Sequence, residues 1–278
     1  MEHITLHPDR FYVGDIQTFL KLVKLLKCDP ECLLAFDFGT RCLEFESMMM
    51  AGVVAVGVRL KQCPGGIIVR SPVQRVDRVV MRIDTAALYS AAMGVSAIPY
   101  AFMSIAVAAD GASIQMTTFD KTNRVMGDVR VCTLDKHDSD DGDFPIVNAQ
   151  TGGQPLVYDV SATHDGPTWR RYLHTPTVDT VIHYDGPMKR LVWGTNSGQT
   201  RLSLYMSGTS VTSTYSGDIR ICVLPSVTAL LRTALQTTGK SPVTLSMSDD
   251  LPIRLVSPLD SAGSLLRMYA GTKEDPSA

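Results

Sequence analysis

Lys21, Lys24 and Lys27 follow one another at a spacing of three, with no acidic residue among them after Asp15. On a helix this spacing spreads three ammonium groups over an arc of about 120°. Ile16, Phe19, Val23 and Leu26 form the adjoining apolar stripe. Such an arrangement can neutralise a row of phosphates, and it also describes an ordinary solvated helix face. Covalent chemistry has less support. There is no Gly-x-Ser-x-Gly, no phosphate loop and no His-Glu-x-x-His. His164, His174 and His183 have no nucleophile at a readable spacing. The run Asp135, Asp138, Asp140, Asp141, Asp143 lacks the closing glutamate of a calcium loop. Cys28 and Cys32 form a C-x3-C pair without a second pair or a nearby histidine. The chain is expected to be neither an enzyme nor a metal protein, and to need no cofactor.

The elements that would position these groups are legible in outline. With 278 residues and 45% hydrophobic content, the chain suits two domains with a sizeable core. A net charge of −2, from 26 basic and 28 acidic side chains, means that any contact with polyanions must come from local clustering. MEHITLHPDR has no apolar run, so secretion is not expected, and six cysteines without a pairing pattern suit a reducing compartment. No apolar stretch is long enough to span a membrane as a helix.

A helix is expected from Asp15 to about Cys28, ended by Asp29-Pro30, and strands at 33–38, 42–47 and 53–60. A second helix runs from Asp84 to Met93, with Gly94 as its stop. A hairpin follows at 101–109 and 113–119, turning at Asp110-Gly111, and another strand at 130–134. Residues 135–155 are acidic, then rich in Gly and Pro, and read as a linker between domains 1–134 and 156–278. The second half repeats the order. It has a short helix at 167–174, strands at 180–184, 190–194, 200–207 and 218–224, and a helix from Ser226 to Thr238 stopped by Gly239. Trp169 beside Tyr172 and Leu173 reads as core rather than as a platform for base stacking. Val243, Leu245 and Met247 alternate with Thr244, Ser246 and Ser248 as a half-buried strand, followed by strands at 251–256 and 265–270.

The run VTLSMS-x-D-x-P, with the downstream Leu-x-x-x-x-Ala and Glu274-Asp275, resembles the C-terminal end of the sliding DNA clamps typified by proliferating cell nuclear antigen (PCNA). Arg75-x-Asp77-Arg78 before the Asp84-Thr85 helix start is similar to the clamp's pre-helix strand. The first helix, with the strand pair ending in Glu46-Ser47-Met48, is similar too. Between about 135 and 165 the match is positional only. The resemblance implies an α+β DNA-clamp fold: two similar halves, each with two helices packed on antiparallel sheets, joined by an interdomain linker. It implies a processivity factor that encircles double-stranded DNA without sequence preference and tethers DNA polymerase. Alternatives are a subunit of a heteromeric checkpoint-type clamp, or a monomeric or dimeric viral processivity subunit. Implied partners are PIP-box-type peptides, a clamp loader and the chain itself, as a homotrimer. The implied place is the nucleus, or the replication site of the host cell if viral.

Carried over by matching segments, the DNA-facing residues are Lys21, Lys24, Lys27, Arg78, Arg82, Arg170, Arg171, His174, Arg232 and Lys240. Those of the partner groove are Met48, Phe144, Ile146, Pro252, Met268 and Ala270. Those of the subunit interface are Ile114, Met116 and Phe119 on one strand, and Arg201, Leu204 and Met206 on another. Two features depart from the family. The helix DTAALYSAAM has no Lys or Arg where the family helix is basic. Met268 and Gly52 stand where the family has an aromatic and an imidazole, which implies a wider groove.

Overall fold

A computed structural model describes residues 10–27, 29–49, 54–69, 77–97, 102–136, 150–151, 154–173, 178–196, 201–207 and 210–272. The chain is mixed α+β, with mostly antiparallel sheets and four helices among the described residues. It divides into two compact units. The first comprises Met1–Met49, Val56–Asn148 and Leu259–Leu265; the second comprises Met50–Ala55, Ala149–Pro258 and Leu266–Ala278.

Unit 1 opens with β1 (Phe11–Val13) and α1 (Ile16–Leu26). Asp15 caps α1 by accepting from the Thr18 amide at 3.0 Å. Phe19, Leu22, Val23, Leu25 and Leu26 bury one side of the helix. Next come β2 (Glu31–Asp37), β3 (Cys42–Met49), β4 (Val54–Lys61), β5 (Ile68–Val69) and β6 (Arg78–Asp84). α2 (Thr85–Ser96) is capped by Asp84, which accepts from the Ala87 amide at 2.8 Å. The expected stop at Gly94 fails. The helix runs through it, because Val95 is fully buried beyond it and the Ala97 amide still donates to the Met93 carbonyl. A helical glycine costs only about 1 kcal/mol. β7 (Phe102–Val107), β8 (Ser113–Phe119) and β9 (Val125–Cys132) complete the unit. At the β7–β8 turn Asp110 accepts from the Ala112 amide and the Ser113 hydroxyl, and Gly111 supplies φ +63°. Those hydrogen bonds, the backbone one foremost, hold the Asp110 carboxyl below its usual range. β10 (Asp135–Lys136) pairs with β6, so the expected linker begins as a strand.

Unit 2 begins with the short pair β11 (Gln150–Thr151) and β12 (Gln154–Pro155). Then come β13 (Val160–Asp165), α3 (Gly166–Tyr172), β14 (Thr180–Asp185), β15 (Arg190–Asn196), β16 (Arg201–Ser207), β17 (Val211–Ser213), β18 (Ile219–Val223), α4 (Pro225–Thr237), β19 (Pro242–Ser248), β20 (Leu251–Pro258) and β21 (Leu265–Ala270). Asp165 caps α3. Gly166 is required there, because a Cβ would come within 3.0 Å of Thr238, Gly239 and Leu235 just past and within the end of α4. Gly239 at φ +59° terminates α4 as expected.

Both units run strand, helix, five strands, helix, three strands, from β1 to β9 and again from β13 to β21. Their strand neighbours repeat too. In unit 1 the orders are β5-β1-β7-β8-β9 and β6-β2-β3-β4, the latter extended by β10 beside β6; in unit 2 they are β17-β13-β19-β20-β21 and β18-β14-β15-β16.

Glu44 on β3 is a buried carboxylate, with 4% of its side chain exposed. Arg59 Nε donates to its Oε1 at 2.6 Å and Arg78 Nη2 to its Oε2 at 2.9 Å. Glu44→Ala leaves two guanidiniums without this carboxylate. Both Arg side chains are about 30% exposed (27% and 32%) and partly solvated. The expected loss of stability is therefore about 2–4 kcal/mol in urea unfolding, below the full cost for a sealed pair.

Candidate nucleic-acid interface and partner groove

The cations expected to face DNA fall into three groups. Lys21, Lys24 and Lys27 are all exposed on α1, opposite the buried stripe. Lys27 Nζ lies 5.1 Å from the ring centroid of Tyr89 on α2. This is the one coherent row among the expected cations. The exposed positions of α2, including Ala86, Ala87, Ser90 and Met93, carry no charge.

In unit 2, Arg171 and Lys240 are exposed and Arg170 is half-buried. Arg232 Nη1 donates to the Leu173 carbonyl at 2.7 Å, so its guanidinium caps the end of α3. His174 lies outside the described residues.

Arg78 and Arg82 form the third group, and they do not join the α1 row. The Phe19 ring on α1 lies 6.3 Å from Phe45, which pairs with Leu34, which pairs with Met81. α1 therefore covers the sheet face that bears those residues. Successive strand residues alternate faces. Arg82, Leu33 and Glu46 sit side by side in the register, with Arg78 two positions from Val80, and all belong to the opposite face. Arg78 is bonded to Glu44 there, and Arg82 lies 3.8 Å from Glu31.

At this end of the strands lies a pocket of about 350 Å³ lined by Glu31, Leu33, Glu46, Met48 and Arg82 of the opposite face, and also by Asp29, Pro30, Cys32 and Ser47. Met48, expected in the partner groove, is 59% exposed there. In unit 2, Pro252 is half-buried, and its carbonyl accepts from the Tyr158 hydroxyl at 2.9 Å. The Arg254 guanidinium lies 4.3 Å from the Tyr158 ring centroid. Burial, then the neighbouring Tyr269, push the Tyr158 hydroxyl pKa up, so it stays a donor. Neither Tyr158 nor Arg254 stood out in the sequence, where nothing marks a tyrosine that bonds a carbonyl 94 positions away. Met268 and Ala270 have no exposed surface, because both are packed into the sheet core. As placed, they cannot touch a partner, which corrects their expected role. Phe144 and Ile146 lie outside the described residues.

The expected interface strand needs a second correction. Ile114, Met116 and Phe119 lie on β8, which is hydrogen-bonded on both sides, to β7 and β9, and all three are buried. The terminal strand of that sheet is β9, where Val125 is 54% exposed. Arg201, Leu204 and Met206 lie on β16, which ends its own sheet. Trp169 is core: 1% exposed, with Nε1 donating to the Val243 carbonyl at 2.8 Å.

Among the described residues no group of three His, Cys, Asp or Glu could hold a metal ion, and no helix is long and apolar enough to cross a membrane. No family model and no curated protein matches the chain.

Proposed function

We propose that the chain is a sliding DNA clamp of the PCNA type. It acts as a processivity factor, encircling duplex DNA as a ring and tethering DNA polymerase and other replication or repair proteins. The observation that carries this reading is the repeat of one element order, with the same strand neighbours, in both units. A clamp built of two similar halves has this property, and the C-terminal motif adds to it. The lysine row on α1 supplies phosphate contacts without base readout. Ring closure uses the terminal strands β9 and β16, whose free backbone groups need covering. A head-to-tail contact between two different edges closes into a ring when the rotation allows.

The uncharged surface of α2 favours a second reading, a heteromeric checkpoint-type clamp whose DNA contacts come partly from other subunits. Native mass measurement separates the two. A homotrimer is expected at about 91 kDa, three times the chain mass of 30.3 kDa. A lone chain that assembles only with foreign subunits removes the homotrimer.

A further inference from the structure

Arg254 on β20 is a half-buried cation that is held in place yet lacks a counter-ion. Its guanidinium lies 4.3 Å from the Tyr158 ring centroid, and Nη2 donates to the Ser246 hydroxyl at 3.3 Å. The Tyr158 ring is itself fixed, because its hydroxyl donates to the Pro252 carbonyl at 2.9 Å. Ser246 has no exposed surface, and its hydroxyl lies 2.8 Å from that of Ser161. Ser161, Ser246 and Arg254 form one cross-strand row over β13, β19 and β20. The next row on this face, Thr163, Thr244 and Val256, carries no charge. Among the described residues no carboxylate pairs with Arg254, and its Nε is buried without an acceptor. Arg59 and Arg190, also half-buried, each meet a carboxylate, Glu44 at 2.6 Å and Asp185 at 2.9 Å. A guanidinium taken partly out of water without such a partner is a costly arrangement that a bound carboxylate relieves.

We propose that Arg254 receives a carboxylate of the partner peptide, an aspartate or glutamate placed next to the peptide's apolar anchor. The inference rests on the partner-groove reading at Pro252 and specifies which peptides the groove prefers. The ring of Tyr158 and the hydroxyl of Ser246 already hold the guanidinium, so its planar fork loses little freedom when it binds. The carboxylate supplies the charge-assisted acceptor that the protein does not. Apolar surface adjoins the Tyr158 ring: Val157, the residue before it, is 81% exposed, and Pro252 is half-buried. One cation among hydroxyls and apolar side chains suits a peptide. A phosphate backbone is met by a row of cations, as on α1.

The test titrates the full chain with fluorescent PIP-box-type peptides in which a glutamate is moved through the positions flanking the aromatic anchors, against the all-alanine reference. At one position glutamate is expected to tighten binding about fivefold to twentyfold, with the gain shrinking as salt rises. In Arg254→Gln the gain is expected to fall below about twofold. Arg254→Lys keeps the charge without the fork and is expected to retain part of it. Equal binding of all peptides leaves the groove reading standing and overturns this inference. So does a glutamate gain that survives in Arg254→Gln. Binding of no peptide overturns the groove reading itself, and this inference with it. A salt series on a short duplex is the second arm: a slope that flattens by about 0.9 in Arg254→Gln assigns the guanidinium to phosphate and overturns the peptide role. The comparison of peptides and salts on the unaltered chain stands even if Arg254→Gln fails to fold.

Discussion

Alanine at Lys21, Lys24 and Lys27 together is expected to weaken DNA association roughly tenfold to several-hundredfold at about 0.1 M salt. It should also flatten the dependence of log affinity on log salt by about 2.7, because each lost phosphate contact removes about 0.9 from the slope. The three side chains are exposed and the apolar stripe of α1 is separate from them, so the core is untouched. Alanine is the strongest helix former, which keeps α1 intact. Equilibrium binding to a short duplex across a salt series measures the effect, with circular dichroism as the folding check. An unchanged slope means that the row is only a solvated face. Arg78→Ala makes an instructive contrast. Its side chain points away from the α1 face and bonds Glu44, so its loss should show in stability rather than in the salt slope.

What could be read in advance tracks the range of the interaction behind each feature. The helix starts at Asp15 and Asp84 were legible because a capping donor and acceptor lie three residues apart, Asp15 with Thr18 and Asp84 with Ala87. The closing strands were legible by their alternation, but only β20 buries a single face; on β19 Ser246 and Ser248, expected on the exposed side, are buried as well. β9 was read only in part, at 130–134, because a terminal strand buries little: Val131 is its one buried side chain. Its start depends on a turn in which Asp120 accepts from the Thr122 and Arg124 amides and Asn123 takes φ +66°. β13 escaped because hydroxyl pairs replace apolar contacts on one face, Ser161 with Ser246 and Thr163 with Thr244. At the candidate site the lysine spacing was readable along one helix. Three other facts depend on contacts between residues distant in the chain: the face on which Arg78 and Arg82 lie, the use of Arg232 to cap α3, and the burial of Met268.

The most severe single loss of stability is expected at Trp169. α3 has seven residues, too few to hold a helix unaided. Beyond the Asp165 cap, it is fastened by the buried indole of Trp169. That ring meets Trp193 at 5.7 Å, His164 at 5.9 Å and Tyr172 at 6.3 Å, all edge-on, and donates to the Val243 carbonyl on β19. Trp169→Ala removes the packing and leaves a cavity, for an expected loss of about 3–5 kcal/mol. Trp169→Phe keeps much of the ring contact but leaves the Val243 carbonyl without its donor, and about 1–3 kcal/mol is expected from that alone. The chain has two tryptophans, Trp169 and Trp193, both 1% exposed and both in unit 2, so intrinsic fluorescence reports unfolding of that unit. In the unaltered protein acrylamide should barely quench it. In Trp169→Ala the remaining Trp193 should quench more readily, because the edge contact that covers it is gone. A base-stacking tryptophan gives the opposite signature: strong quenching at the start, unchanged stability on replacement, and a loss confined to DNA binding. Because α3 carries Arg170 and Arg171, Trp169→Ala should also lower DNA association where those arginines contribute. That loss would follow the melting of unit 2 with temperature, whereas the loss from the α1 lysines would follow salt.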